Sequence, residues 1–141
     1  MIMIKAEGLR IGNFVNTRHY NILKVTSLDS RKGYCNTYED IYGTSTGGVI
    51  KPIPLTEDIL LDCGFSITCD PENVHYKINV CNEYNEKFVI NRKVGYNVFY
   101  IQHKDCNDYL HFTTQIKYVH QLQNLYFALT GKELEFKTLG K

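Results

Sequence analysis

The chain has 141 residues, and sixteen basic and fifteen acidic side chains leave a formal charge of +1. That is a one-domain length, enough to bury roughly two-thirds of the surface an unfolded chain exposes. The balanced charge excludes attraction to nucleic acid or membrane by bulk electrostatics, so any site for a polyanion must come from local clustering.

The opening Met1-Ile2-Met3-Ile4 is apolar but is interrupted by Lys5 and Glu7, so it does not read as a signal peptide. Leu9 to Val15 reads as a short strand in which Gly12 marks a bulge or turn. Asn21 to Leu28 is its expected partner, with Leu23 and Val25 on one face. Asp29 to Gly33 reads as a polar turn with Arg31 and Lys32 at its tip, and Tyr34 to Tyr42 as a third strand. Gly43 to Gly48 is a loop by composition.

Pro52 to Phe65, PIPLTEDILLDCGF, carries the signals of a two-turn helix. Thr56 is its N-cap, and Glu57 and Asp58 sit where the helix dipole favours negative charge. Leu55 and Leu60 form a hydrophobic staple, and Gly64 is placed as the left-handed residue after the helix. Val74, Tyr76, Ile78 and Val80 alternate with polar residues and predict a half-buried strand. Asn82 to Glu86 reads as an acidic hairpin tip and Phe88 to Ile90 as the return strand. Asn91-Arg92-Lys93 reads as a basic turn, Gly95 to Gln102 as the next strand, and Tyr109 to Thr113 as a fourth.

The last helix is expected to be capped by Thr113 or Thr114 and stopped by Gly131. Its apolar stripe is Ile116, Val119, Leu122, Leu125, Tyr126 and Leu129. His120, Gln121 and Asn124 fall off that stripe. Leu134-Glu135-Phe136 alternates as an edge strand that could serve self-association. The expected fold is α+β: a small N-terminal β unit, a short capped helix, and an antiparallel β-meander packed by a C-terminal amphipathic helix. Residues 1–141 read as one domain, divisible into a β-rich unit 1–50 and an α+β unit 51–141.

Three segments, LRIGNFV, PIPLTEDILLDCGF and VHQLQNLYFALTGKELEF, carry a resemblance beyond composition. Together they resemble an uncharacterised family of small proteins from phages, prophages and mobile elements of gut anaerobic bacteria. The resemblance covers both ends and the middle helix, and it brings no catalytic residues. It implies a cytoplasmic accessory protein, in the host cell if phage-encoded.

No catalytic or metal motif assembles. The Gly43 to Gly48 loop contains a GxSxG match at Ser45, but no helix follows the serine as a nucleophile elbow requires. Lys51 comes too late for a phosphate-binding Walker loop. His103, Cys106 and His111 lack the spacing of a zinc site. The five cysteines contain no CxxC pair and read as reduced thiols. Eleven tyrosines and seven phenylalanines suit a sheet and also suit interfaces.

The expected function is therefore a non-catalytic binding module, without cofactor or metal. Its ligand is nucleic acid or a nucleotide-like molecule, a class that includes host defence signals it would sequester. The candidate ligand residues are Arg31, Lys32, Arg92, Lys93, Tyr96 and Tyr100, where cations stand near aromatics. His120, Gln121 and Asn124, on the polar side of the last helix, complete the set. The alternative is a protein–protein interaction or structural accessory protein, such as an inhibitor of a host enzyme. No run approaches the roughly 20 apolar residues of a membrane span, so no membrane partner is expected.

Overall fold

The structure, a computed structural model, describes residues 8–16, 22–29, 34–37, 51–79, 87–104 and 110–139. It is α+β, with two antiparallel sheets and two helices among the described residues. Two compact units share the chain. The first comprises Met1–Pro54, Tyr118–Glu133 and Thr138–Lys141; the second comprises Leu55–Lys117 and Leu134–Lys137.

In the first unit, β1 (Phe14–Asn16), β2 (Ile22–Asp29) and β3 (Tyr34–Thr37) form a three-stranded sheet in chain order. Val15 pairs with Leu23, and a register shift between Val25 and Ser27 bends β2. The LRIGN segment is a turn rather than the start of a strand. Gly12 holds a φ of 95°, which glycine adopts without a Cβ clash. The Arg10 carbonyl accepts from the Asn13 N–H at 3.1 Å. Leu9, Val15 and Val25 form the buried cluster beneath.

The same unit holds α2 (Val119–Thr130). Its start differs from the sequence expectation, because Thr113 and Thr114 belong to a strand that runs on to Ile116. Tyr118 is the N-cap, and the Gln121 Oε1 accepts from its N–H at 3.2 Å. Gly131 ends the helix at a φ of 70°, as its position predicted. The buried face comprises Val119, His120, Leu122, Gln123 and Tyr126, while Leu129 is 62% exposed. Two polar residues thus replace part of the apolar stripe.

The second unit begins with α1 (Glu57–Asp62), capped by Thr56, whose Oγ1 accepts from the Ile59 N–H at 3.4 Å. Leu55 and Leu60 are both buried, as a staple requires. Gly64 follows at a φ of 94°. Then come β4 (Ser66–Cys69), β5 (Asn73–Asn79), β6 (Lys87–Lys93), β7 (Phe99–Lys104) and β8 (Leu110–Ile116), a meander in chain order. The sheet therefore has a strand more than the sequence suggested. Arg92 and Lys93 lie in β6, not in a turn; the chain turns after them, where Gly95 has a φ of 85°. Leu134 and Phe136 are buried, but no strand forms there, so that segment offers no edge for pairing.

Candidate functional site

Side chains two apart on a strand share a face, so the β5–β8 register sorts the meander into two sides. One side carries Val74, Arg92, Phe99 and Ile116 in one cross-strand row and Tyr76, Ile90 and Ile101 in the next. Val74, Tyr76, Phe88, Ile90, Phe99 and Ile116 are buried, so this is the core face. Phe65 meets Phe88 edge-on at 6.1 Å, and Tyr76 lies 5.8 Å from Phe99, both favourable aromatic geometries.

Arg92 falls on the core face and is fully committed there. Tyr76 Oη donates to Glu57 Oε2 at 2.6 Å. Arg92 Nε donates to Tyr76 Oη at 3.1 Å, and its Nη2 donates to the same carboxylate oxygen at 3.1 Å. Burial, and then the bond to Glu57, push the Tyr76 phenol above its ordinary pKa. Arg92 Nη1 also donates to the Tyr96 carbonyl at 3.3 Å, which shapes the turn after β6. Arg92 is thus a structural residue that fastens α1 and the turn to the sheet, not a free cation for a ligand.

Lys93 falls on the opposite face. There the register aligns Thr68, His75, Asn91, Tyr100 and Gln115 in one row across all five strands. Ser66, Thr68, Lys93, Tyr100 and Gln115 are exposed on this face, whereas His75 is half-buried and Asn91, at its centre, is buried. Lys93 Nζ stands 6.0 Å over the Tyr96 ring, which is 60% exposed. Among the described side chains on this face none is a carboxylate. Asp70, in the turn before β5, instead pairs with His75 Nε2 at 2.9 Å. That bond and two backbone N–H donors, from Glu72 and Asn73, hold its carboxyl down at about 2.

Of the nine predicted ligand residues, Lys93, Tyr96 and Tyr100 therefore gather around the open face and its adjoining turn. Arg92 is turned away, and Arg31 and Lys32 lie outside the described residues. The helix residues have other work. Asn124 Oδ1 accepts from Asn13 Nδ2 at 2.8 Å, and its Nδ2 donates to the Gly8 carbonyl at 3.2 Å. Beside it, Gln123 accepts from the Phe14 N–H at 2.8 Å and donates to the Gly12 carbonyl at 3.2 Å. Gln121 caps its own helix. His120 is 5% exposed and stacks on Tyr118 at 5.8 Å, with its Nδ1 unpaired. Burial holds its pKa below the ordinary histidine value.

Sequence reasoning missed Asn91 and His75; the signal available was the period-2 phase of β6, which separates Arg92 from Lys93. The Gly43 to Gly48 loop, Ser45, Cys106 and the Asn82 to Glu86 tip lie outside the described residues. Among the described residues no group of three or more His, Cys, Asp or Glu is placed to hold a metal ion. No described helix is long and apolar enough to cross a membrane, which leaves β-barrel spans unaddressed. Comparison with protein-family models, curated proteins and solved structures returns no match.

Proposed function

We propose that this chain is a non-catalytic binding module whose ligand is a nucleic acid or nucleotide, held on the open face of the five-stranded sheet. The observation that carries this reading is the placement of Lys93 and Tyr100 on one face of the sheet, with Tyr96 beside Lys93. A cation beside exposed aromatic rings suits a phosphate and a stacked base. The setting, from the family resemblance alone, is the cytoplasm of a bacterium hosting a phage or mobile element.

The test is fluorescence anisotropy with labelled single-stranded oligonucleotides at low salt. Tyr100→Ala should weaken binding roughly tenfold, the order expected for one base–aromatic stack. Lys93→Glu should weaken binding and flatten its salt dependence. Equal affinities in wild type and both variants would defeat the proposal.

One observation favours a second reading, a protein partner. Val94 and Tyr96 are large apolar side chains exposed at the turn, and Glu57 cancels the charge of Arg92. Tyrosine anchors protein interfaces as well as bases. Native mass spectrometry separates the two by the mass of what the purified protein retains.

A further inference from the structure

Asn91 is the most anomalous residue of the open face. It occupies the middle of the sheet's central strand, where asparagine is disfavoured against β-branched and aromatic residues. It is 1% exposed, and its Oδ1 is buried with no hydrogen-bond donor. Asn13, equally buried, shows the ordinary solution: its Oδ1 accepts from the Arg10 N–H at 2.7 Å, and its Nδ2 donates to Asn124. A buried acceptor left unmet is costly, and native proteins contain few. Directly across from Asn91 on the same face stand His75 and Tyr100. Opposed side chains in an antiparallel pair have Cβ atoms roughly 5 Å apart, which is contact range.

We infer that the open face takes one unpaired nucleobase laid against the Tyr100 ring, with the Asn91 side-chain amide reading the base edge. This rests on the nucleotide-binding reading above and narrows it to single-stranded ligands with base selectivity. A nucleobase offers both things the pair lacks: a flat π-face for the ring and a ring or exocyclic N–H for the carbonyl oxygen. A duplex offers neither, because its faces are stacked and its Watson–Crick edges are paired. Asparagine amides read bases through such donor–acceptor pairs. Lys93, two residues along β6 on the same face, is placed for the phosphate. The oxygen is buried in the free protein, so the contact requires the side chains over it to move aside.

The experiment titrates wild type, Asn91→Thr and Tyr100→Ala with A, C and U homopolymer strands, a duplex, and the matching mononucleotides. Wild type should favour one base by roughly tenfold. Asn91→Thr, a strand-compatible change, should bind but lose the preference. Tyr100→Ala should weaken binding to every base by a similar factor. A mononucleotide that binds as tightly as its strand identifies the free nucleotide as ligand; a much tighter strand identifies nucleic acid. Binding without base preference in wild type, a preference retained in Asn91→Thr, or a duplex bound as well as a single strand overturns the inference and leaves the proposed function standing. No binding by folded wild type to any of these ligands overturns both.

Discussion

His120 shows how a single side chain ties fold to pH. It sits at the second helical position of α2, buried, with Nδ1 unpaired. Desolvation disfavours the imidazolium, so its folded pKa lies below the ordinary value near 6.5. Well above pH 6.5 both states are neutral, and the site leaves stability unchanged there. As pH falls below 6.5 the unfolded state takes up the proton first, so stability declines until the folded pKa is passed. Urea unfolding at pH 7.5 and 5.5 should therefore show a loss in wild type that His120→Gln reduces. An identical pH dependence in that variant would remove His120 as the cause. Tyr118, stacked parallel to the imidazole at 9°, gives the ring its packing but cannot supply the missing hydrogen bond through its face.

At the scale of elements, the Glu57–Tyr76–Arg92 network predicts an order of effects. Arg92→Ala strips a part-buried carboxylate and a buried phenol of one partner each and should cost about 2 kcal/mol. Tyr76→Phe leaves Arg92 and Glu57 still paired at 3.1 Å and should cost about 1 kcal/mol. Chemical denaturation orders the two; a reversed order would mean that Tyr76, not Arg92, holds α1 to the sheet. It follows that Arg92→Glu is a poor probe of ligand binding, since it would unsettle the fold itself. The sequence revealed both ends of α1 and the end of α2 because caps are local: Thr56, Gly64 and Gly131 act within one turn of chain. It revealed three of the five meander strands by alternation or β-branched content, and the start of β8. It did not reveal β4, whose four residues are largely exposed and carry no apolar alternation. It merged the end of β8 with α2 because Ile116 and Val119 satisfy a helical stripe as well as they satisfy a strand end. Gln123 escapes the apolar pattern because pattern reading assigns amides to water, whereas this one takes both of its partners from the LRIGNF segment. Together with Asn124, Gln123 thus ties α2 to the turn before β1, which gives these two amides a structural role.

Across the whole molecule the chain is interleaved, and this has a consequence for stability. It leaves the first unit after Pro54, builds the meander to Lys117, returns for α2, then gives Leu134–Lys137 back to the second unit. The two apolar residues of that short return, Leu134 and Phe136, are buried, and the Lys137 N–H donates to the Asp62 carbonyl at 3.2 Å. The second unit is therefore completed by residues that follow α2 in sequence, a long-range closure that contributes only after the intervening chain is ordered. Truncating a buried phenylalanine to alanine costs about 3–5 kcal/mol when the site cannot collapse around the loss. Phe136→Ala should thus lower amide-exchange protection in β5 and β6, while the α2 amides, which belong to the other unit, lose less. Glu133→Gln acts on the first unit instead, because Glu133 pairs with Arg10, and it should leave β5 and β6 protection unchanged. Equal losses in both units from Phe136→Ala would mean that the chain unfolds as one cooperative body. Unchanged protection in β5 and β6 would mean that the return segment contributes nothing to the stability of the meander.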